Sequence, residues 1–125
     1  MQVFIVGAGP GDPELITVKG QRLLKKADVI IYAGSLVNPA ILNVAKAGAE
    51  IFNSASMTLP EVIEKIEEAV QNGKIVVRLH TGDPAIYGAI QEQMDELKKR
   101  KIAFEVVPGV SSFLATAAAL RQEYT

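Results

Sequence analysis

The sequence predicts an α/β fold built on a five-stranded, mostly parallel sheet with helices on both faces. Five short runs of apolar, often β-branched residues recur along the chain, at residues 2–6, 28–32, 50–53, 74–80 and 103–107. Each run is followed by a helical pattern. The runs are almost continuously apolar, as expected of parallel strands that are covered on both faces. The length of 125 residues fits one domain, residues 1–125.

The composition excludes several classes of site and partner. The chain has no cysteine and one histidine, so disulfides and thiolate metal sites are excluded and we expect no metal centre. The net charge of -1 leaves no basic surface for nucleic acid or for a membrane. No signal pattern opens the sequence and no apolar stretch approaches roughly 18 residues, so we expect a cytoplasmic protein.

Helix signals lie between the predicted strands. A helical pattern covers residues 15–26 after the first strand. Thr58 and Glu61 have the spacing of a capping box, with Pro60 in the first turn, and Gly73 ends that helix before the fourth strand. The next helix is predicted to carry an apolar stripe, which consists of Ile86, Ile90, Met94 and Leu97.

The segment 111–120 is strongly apolar and has almost no polar face. A helix that is apolar all round is buried on all sides. A single α/β domain would leave the outer side of such a helix in water. We therefore expect a second domain or a subunit to cover it.

The segment 6–13, Val-Gly-Ala-Gly-Pro-Gly-Asp-Pro, stands between the first strand and a helical pattern. Its glycines let a ligand touch the backbone, and open α/β sheets bind ligands at such strand ends. Asp12 occupies the position of the third glycine of a dinucleotide fingerprint, and Pro10 and Pro13 remove two amide donors. This segment is therefore either a wall of a binding site that does not cradle phosphate or a purely structural turn.

Two further unusual loops follow the fourth and fifth predicted strands, at residues 80–88 and 107–112. Each places glycine beside proline, next to hydroxyls or a carboxylate. Because the carboxyl ends of parallel strands share one edge of the sheet, we expect these loops to converge with the first one. The set offers backbone edges, hydroxyls, apolar side chains and acidic groups but almost no cations. That balance suits S-adenosylmethionine better than ATP or NAD.

Several residues of these loops have two interpretations, which the sequence leaves open. Asp83 precedes a proline, so its carboxylate either bonds to nearby backbone amides or faces a ligand. His80 is a hydrogen-bonded structural residue or a base. Ser111 or Ser112 caps the last helix, and capping is compatible with ligand contact.

Three motifs in chain order resemble the N-terminal motifs of the tetrapyrrole methylases. They are residues 6–17, residues 78–88 around Gly-Asp-Pro, and residues 107–111. The resemblance covers essentially the whole chain. It implies two αβα domains with S-adenosylmethionine bound between them, and a homodimer. In that interpretation this chain supplies the N-terminal domain, and the C-terminal domain is absent from it.

Within that family, residues 32–37 and 78–90 are most similar to the members that methylate precorrin-4 or cobalt-precorrin-4 at ring carbon 11. Members that act on uroporphyrinogen III tend to have aspartate where Ala33 stands and glycine where Thr81 stands. These two departures argue against that sister activity. They also argue against carrying over its proposed aspartate base.

The resemblance also implies roles for individual residues. Cofactor contacts are implied for Pro10, Thr81, Gly82, Asp83, Ile86, Tyr87, Ser111 and Ser112. Positions implied to face the tetrapyrrole (precorrin) substrate are Gly9, Gly11, Asp12, Tyr32 and Ser35.

The implied reaction is transfer of a methyl group from a sulfonium to a nucleophilic ring carbon, as a step of corrin (vitamin B12) biosynthesis. Asp12 and His80 are candidate proton acceptors, and Lys19, Arg22 and Arg78 are available for the substrate's carboxylates. We expect this half alone to have little or no turnover. The alternatives are another precorrin or uroporphyrinogen-III methylase and, in a different class, a nucleotide-binding or regulatory α/β module without catalysis.

Overall fold

The sheet has five parallel strands in the order β3-β2-β4-β1-β5. The computed structural model describes residues 2–125, and of Ser35 only the backbone. The strands are β1 (Val3–Gly7), β2 (Val29–Tyr32), β3 (Glu50–Asn53), β4 (Val76–His80) and β5 (Phe104–Val107). The predicted fold class is confirmed, and the five predicted strands are present with bounds that shift by at most two residues.

Helices pack on both faces of this sheet. They are α1 (Val18–Lys26), α2 (Leu59–Gln71), α3 (Ile90–Lys99) and α4 (Ser112–Leu120). Leu24 of α1 packs on one face in a buried cluster with Val6 and Leu79. The other face is covered by α2 and α3, whose Ile63 and Leu97 belong to a second buried cluster. The connections that leave the neighbouring strands β1 and β4 therefore run on opposite faces, which opens a crevice at their carboxyl ends.

Side-chain caps set where α1 and α2 begin. The Thr17 hydroxyl accepts a 2.9 Å hydrogen bond from the Gly20 amide, so α1 begins at Val18 and not at residue 15 as the pattern predicted. The predicted capping box of α2 is confirmed, because the amides of Glu61 and Thr58 each donate to the other residue's side chain.

The prediction of a helix after every strand is wrong for β2. Short 3₁₀ turns, Gly34–Leu36 and Pro39–Val44, connect β2 to β3 instead. The Asn38 side chain accepts a hydrogen bond from the Ala40 amide. Such local side-chain bonds compete with α-helix formation. The strand β3 also lies at the sheet edge and is mostly exposed, so it is not covered on both faces as expected.

Two predictions about apolar burial also differ from the structure. Ile86 is 49% exposed and lies before α3, because a left-handed Ala89 (φ 51°) separates it from the helix that begins at Ile90. In α4 only Ala117 is buried, and Phe113 is 62% exposed. The apolar helix is thus uncovered in the described chain. Among residues 2–125, no helix is long and apolar enough to cross a membrane.

Candidate functional site

The loops after β1, β4 and β5 meet at one point, as the parallel topology predicts. The strand β1 lies between β4 and β5 in the sheet. The backbones of Gly9 and Gly82 pair through hydrogen bonds of 3.2 and 2.7 Å. A side chain completes the junction, because the Asp83 carboxylate accepts a 2.9 Å hydrogen bond from the Gly109 amide.

Glycine is required where these backbones touch. A Cβ atom on Gly7 would lie 2.5 Å from the carbonyl oxygen of Gly82 and 2.7 Å from the Cα atom of Gly109. A Cβ atom on Gly109 would collide with the same carbonyl oxygen. Both obstacles are backbone atoms, which cannot move aside as a flexible side chain does. The close approach brings the three loops into one wall.

A cleft of about 410 Å³ opens beside this junction, within the usual range of roughly 300–1,000 Å³ for small-molecule sites. We call it the strand-end cleft. It brings together seven of the eight predicted cofactor residues, namely Thr81, Gly82, Asp83, Ile86, Tyr87, Ser111 and Ser112. The eighth, Pro10, is not among its lining residues, but it follows Gly9, which pairs with Gly82. Contact of these residues with a cofactor stays a prediction.

Asp83 and Ser111, for which the sequence leaves two roles open, both have hydrogen-bond partners in this cleft. Both carboxylate oxygens of Asp83 accept backbone hydrogen bonds, one from Ala85 at 2.8 Å and one from Gly109 at 2.9 Å. The Ser111 hydroxyl accepts a 3.2 Å hydrogen bond from the Phe113 amide and so caps α4. Ser112 is left exposed. The side chains of Asp83 and Ser111 therefore both have structural partners.

The residues predicted to face the substrate lie in the loop after β1 and in the segment that begins at the carboxyl end of β2, and their contact with a substrate stays a prediction. The Gly11 carbonyl accepts a 2.7 Å hydrogen bond from the Asn38 side chain, which ties the first loop to the connection after β2. Asp12 is exposed and accepts a 2.9 Å hydrogen bond from the Glu14 amide. Tyr32 packs with the buried cluster on the α1 face. The Ser35 side chain lies outside the described residues.

His80 lies in the strand-end cleft and is 4% exposed. Burial, and secondarily the positive charge of Arg78, lowers the pKa of His80 to about 4. The imidazole is therefore neutral at physiological pH. Its Nε2 atom has no hydrogen-bond partner within residues 2–125, so the expectation of a hydrogen-bonded structural residue is not met at that atom.

Arg78 is the one of the three candidate cations that lies in the cleft. Its Nε donates to the Gln93 side chain at 3.0 Å, and its Nη1 donates to the Ile31 carbonyl at 3.2 Å. Burial lowers the pKa of Arg78 to about 10, so the guanidinium stays charged at neutral pH. Lys19 instead pairs with Glu105 at 2.5 Å.

Sequence reasoning missed part of the lining of this cleft. The unassigned lining residues are Leu36, Gly88, Ala89 and Gln93. Gln93 is 5% exposed although it is polar. A glutamine three positions after Ile90 and four before Leu97 falls on the buried helix face, which was the available signal.

A second, more apolar groove of about 450 Å³ adjoins the cleft. It shares Ile86, Tyr87, Ser111 and Ser112 with the cleft and continues onto Phe113 and Tyr124. The ring centroids of Phe113 and Tyr124 lie 4.5 Å apart. The cleft thus opens toward the uncovered side of α4.

Comparison with known proteins identifies close relatives. A protein of Methanocaldococcus jannaschii named cobalt-precorrin-4 C(11)-methyltransferase is 61% identical over 124 residues, which cover 99% of this chain and 48% of that protein. A protein of the same name from Priestia megaterium is 52% identical over 125 residues, which cover 100% of this chain and 48% of that protein. The chain thus spans about half the length of the curated relatives it matches.

Solved structures support the same relationship. The X-ray structure of a cobalamin biosynthetic enzyme, cobalt precorrin-4 methyltransferase, matches with a TM-score of 0.96 and 52% identity, covering 98% of this chain and 52% of that chain. A uroporphyrin-III C-methyl transferase from Thermus thermophilus, complexed with S-adenyl homocysteine, matches with a TM-score of 0.80 and 38% identity, covering 94% and 48% of the two chains.

The family model described as Tetrapyrrole (Corrin/Porphyrin) Methylases matches residues 2–125. This match covers nearly the entire chain, and the predicted family is confirmed. The protein belongs to the tetrapyrrole (corrin/porphyrin) methylase family.

Proposed function

We propose that this chain is the N-terminal, cofactor-binding half of a methyltransferase that uses S-adenosylmethionine to methylate precorrin-4 or cobalt-precorrin-4 at ring carbon 11. The observation that carries the proposal is the junction of the three loops beside one cleft, with Thr81, Gly82 and Ser112 in its lining. The names of the two relatives at 61% and 52% identity support the same reaction. The step belongs to cobalamin biosynthesis.

The chemistry of the strand-end cleft fits S-adenosylmethionine. Its walls combine small residues, hydroxyls and the two aliphatic side chains of Leu36 and Ile86, which suit an uncharged adenosine and an amino-acid tail. Pro10 and Pro13 leave the first loop with fewer free amides than a phosphate cradle needs. His80 adds no positive charge at neutral pH, because burial lowers its pKa to about 4.

The cofactor supplies an electrophilic methyl group when it is bound. The protein's part is to hold donor and acceptor in line and to keep water away. A neutral His80 inside the cleft is better placed than the exposed Asp12 to accept a proton. With a pKa of about 4 it is a weak base, which is sufficient only if the methylated ring loses its proton readily.

Arg78 is the group we assign to a carboxylate of the tetrapyrrole. It is buried and charged, and it lines the cleft. Its two described hydrogen bonds go to neutral acceptors, Gln93 and Ile31. A planar guanidinium binds a carboxylate through two parallel hydrogen bonds, so a substrate carboxylate would satisfy its charge.

We also propose a C-terminal domain and a dimeric assembly. The relatives are about twice as long as this chain, and α4 exposes Phe113, Leu114 and Leu120. We infer that a C-terminal domain covers α4 and closes the strand-end cleft from the other side. A homodimer in the cytoplasm is the expected assembly.

The test joins this chain to the second half of the Methanocaldococcus jannaschii relative and compares it with the chain alone. Calorimetry should show weak binding of S-adenosylhomocysteine by the chain and much tighter binding by the joined protein. Incubation with cobalt-precorrin-4 and S-adenosylmethionine should give a product in which a methyl group replaces one hydrogen, a mass gain of CH₂, and NMR should locate that methyl group at ring carbon 11.

Other outcomes of that test distinguish the alternatives. Methylation of uroporphyrinogen III or of another precorrin in preference to precorrin-4 would assign the chain to a sister activity within the family. Thermal stabilisation by NAD or ATP that exceeds stabilisation by S-adenosylmethionine would favour a nucleotide-binding module. Equal binding with and without the second half would contradict the proposed shared cleft.

A further inference from the structure

We propose that Asp83 is a positioning residue, whose carboxylate holds the loop after β5 against the loop after β4 and does not itself contact the methyl donor. The proposal rests on the proposed function, because it concerns the same cleft. In this role the carboxylate of the Gly-Asp-Pro turn stabilises the backbone of two loops and does not attract the sulfonium directly.

The contacts of Asp83 carry the proposal. One oxygen accepts from the Ala85 amide at 2.8 Å, within the turn, and the other accepts from the Gly109 amide at 2.9 Å, across 26 residues of sequence. Hydrogen bonds to an ionised acceptor are about twice as strong as neutral ones. The carboxylate therefore spans two loops and directs both of its oxygens at backbone amides.

This link is singular among the described contacts. The strands β4 and β5 are separated by β1, so their loops share no strand ladder. Among the hydrogen bonds of residues 2–125, the bond from Gly109 to Asp83 is the one that joins residues 80–88 to residues 107–112. Beyond it, the two loops are in backbone contact where Gly82 meets Gly109.

The position of Gly109 explains why this link matters for the cleft. Ser111 and Ser112 follow it after one residue, and both line the strand-end cleft together with Thr81 and Gly82. Ser111 also caps α4. A loop released at Gly109 would shift Ser111 and Ser112 relative to Thr81 and Gly82 within the same wall of the cleft. Losing the bond should therefore weaken every ligand of the cleft, whatever the ligand's charge.

A comparison of a charged and a neutral ligand distinguishes a positioning role of Asp83 from a direct contact with the sulfonium. S-adenosylmethionine carries a sulfonium, and S-adenosylhomocysteine is its neutral thioether counterpart. In the joined protein, Asp83→Asn keeps a carbonyl oxygen for one of the two amides and loses the other bond. We expect it to weaken both ligands by the same factor, about tenfold for one charge-assisted bond. We also expect KM for S-adenosylmethionine to rise with kcat nearly unchanged, and Asp83→Ala to have a larger effect of the same kind.

Asp28→Asn is the matched control. The Asp28 carboxylate accepts a 2.8 Å hydrogen bond from the Ile75 amide, 47 residues away. Both residues lie at the amino ends of their strands, β2 and β4, and the cleft lies at the carboxyl ends. The same carboxylate also pairs with Lys46, so Asp28→Asn weakens an exposed ion pair as well as a bond of the same type, and Asp28 is not among the lining residues of the cleft. Its affinities and KM should match those of the unsubstituted protein, even if less of it is folded.

A second readout does not depend on ligand binding. In the chain of 125 residues, amide hydrogen exchange at Gly109 should accelerate in Asp83→Ala, which keeps neither acceptor oxygen, while the amides of Gly9 and Gly82 keep their protection. An unchanged rate at Gly109 would overturn the proposal. So would a loss of affinity in Asp83→Asn for S-adenosylmethionine alone. Failure of the unsubstituted joined protein to bind either ligand would contradict the proposed function instead, and exchange at Gly109 would still decide the role of Asp83.

Discussion

Arg78 and Gln93 form a buried polar pair, in which the Nε atom of the arginine donates to the Oε1 atom of the glutamine at 3.0 Å. Arg78 is 6% exposed and Gln93 is 5% exposed. No carboxylate pairs with this guanidinium among the residues that the structure describes. A buried cation without an anion is costly. This unpaired buried charge supports the proposal that Arg78 binds a carboxylate of the substrate.

The first prediction concerns Arg78. Replacing it in the joined protein by lysine keeps the charge but loses the planar fork. We expect KM for the tetrapyrrole to rise about tenfold, the worth of one charge-assisted hydrogen bond, with the affinity for S-adenosylhomocysteine nearly unchanged. Arg22→Lys, on the exposed side of α1, is the control. An unchanged KM in folded Arg78→Lys would remove Arg78 from the substrate site.

The second prediction tests the backbone contact between the three loops. Gly7→Ala places a Cβ atom 2.5 Å from the Gly82 carbonyl oxygen, so we expect the free energy of unfolding to fall by about 3 kcal/mol. Gly20→Ala is the matched control. There the new Cβ meets only side-chain atoms, at 3.1 Å or more, inside a helix that prefers alanine. Its effect should stay within about 1 kcal/mol. Urea denaturation measures both, and equal effects would contradict the prediction.

The third prediction concerns the capping box of α2. Thr58→Ala removes the acceptor of the Glu61 amide, whose bond is 3.3 Å long. The free energy of unfolding should fall by about 1 kcal/mol. Thr116→Ala is the control, since that hydroxyl donates to the Ser112 carbonyl within α4 and alanine is the better helix former. Stability equal to that of the unsubstituted chain would show that the box contributes nothing.

Local signals in the sequence were sufficient for much of the fold. Apolar periodicity located the strands, and Thr58 with Glu61 located the start of α2, because these signals act within a few residues. The convergence of the three loops also followed from the sequence, since parallel strands end at one edge. Each of these inferences needs only the chain's own local pattern and one topological rule.

Other features could not be predicted, because the residues that determine them are distant in the sequence or lie outside the described chain. The partner of Asp83 is Gly109, and no spacing rule connects an aspartate to an amide in another loop. Gln93 received no role from the sequence, because its partner Arg78 lies on a strand and no spacing rule connects the two. Ile86 fitted the helical period but lies outside α3, because the backbone turns at Ala89. The apolar residues of α4 indicate burial that the described chain does not supply.

The last prediction is a pH dependence of stability caused by His80. Its pKa is lowered from 6.5 to about 4 in the folded chain, so the unfolded chain takes up the proton first as the pH falls. The stabilisation is complete above pH 6.5 and is lost on acidification toward pH 4, by about 3 kcal/mol in total. His80 is the only histidine in the sequence, so other histidines cannot contribute to this change.

His80→Gln, which does not titrate, is the reference for that measurement. Urea denaturation of both proteins from about pH 7.5 to about pH 4 gives the difference in their free energies of unfolding. The carboxylates of Asp28 and Glu96, whose pKa values are also lowered, contribute equally to both proteins and cancel in the difference. The advantage of the unsubstituted chain over His80→Gln should decrease as the pH falls. A constant difference would show that His80 is not buried as a neutral group.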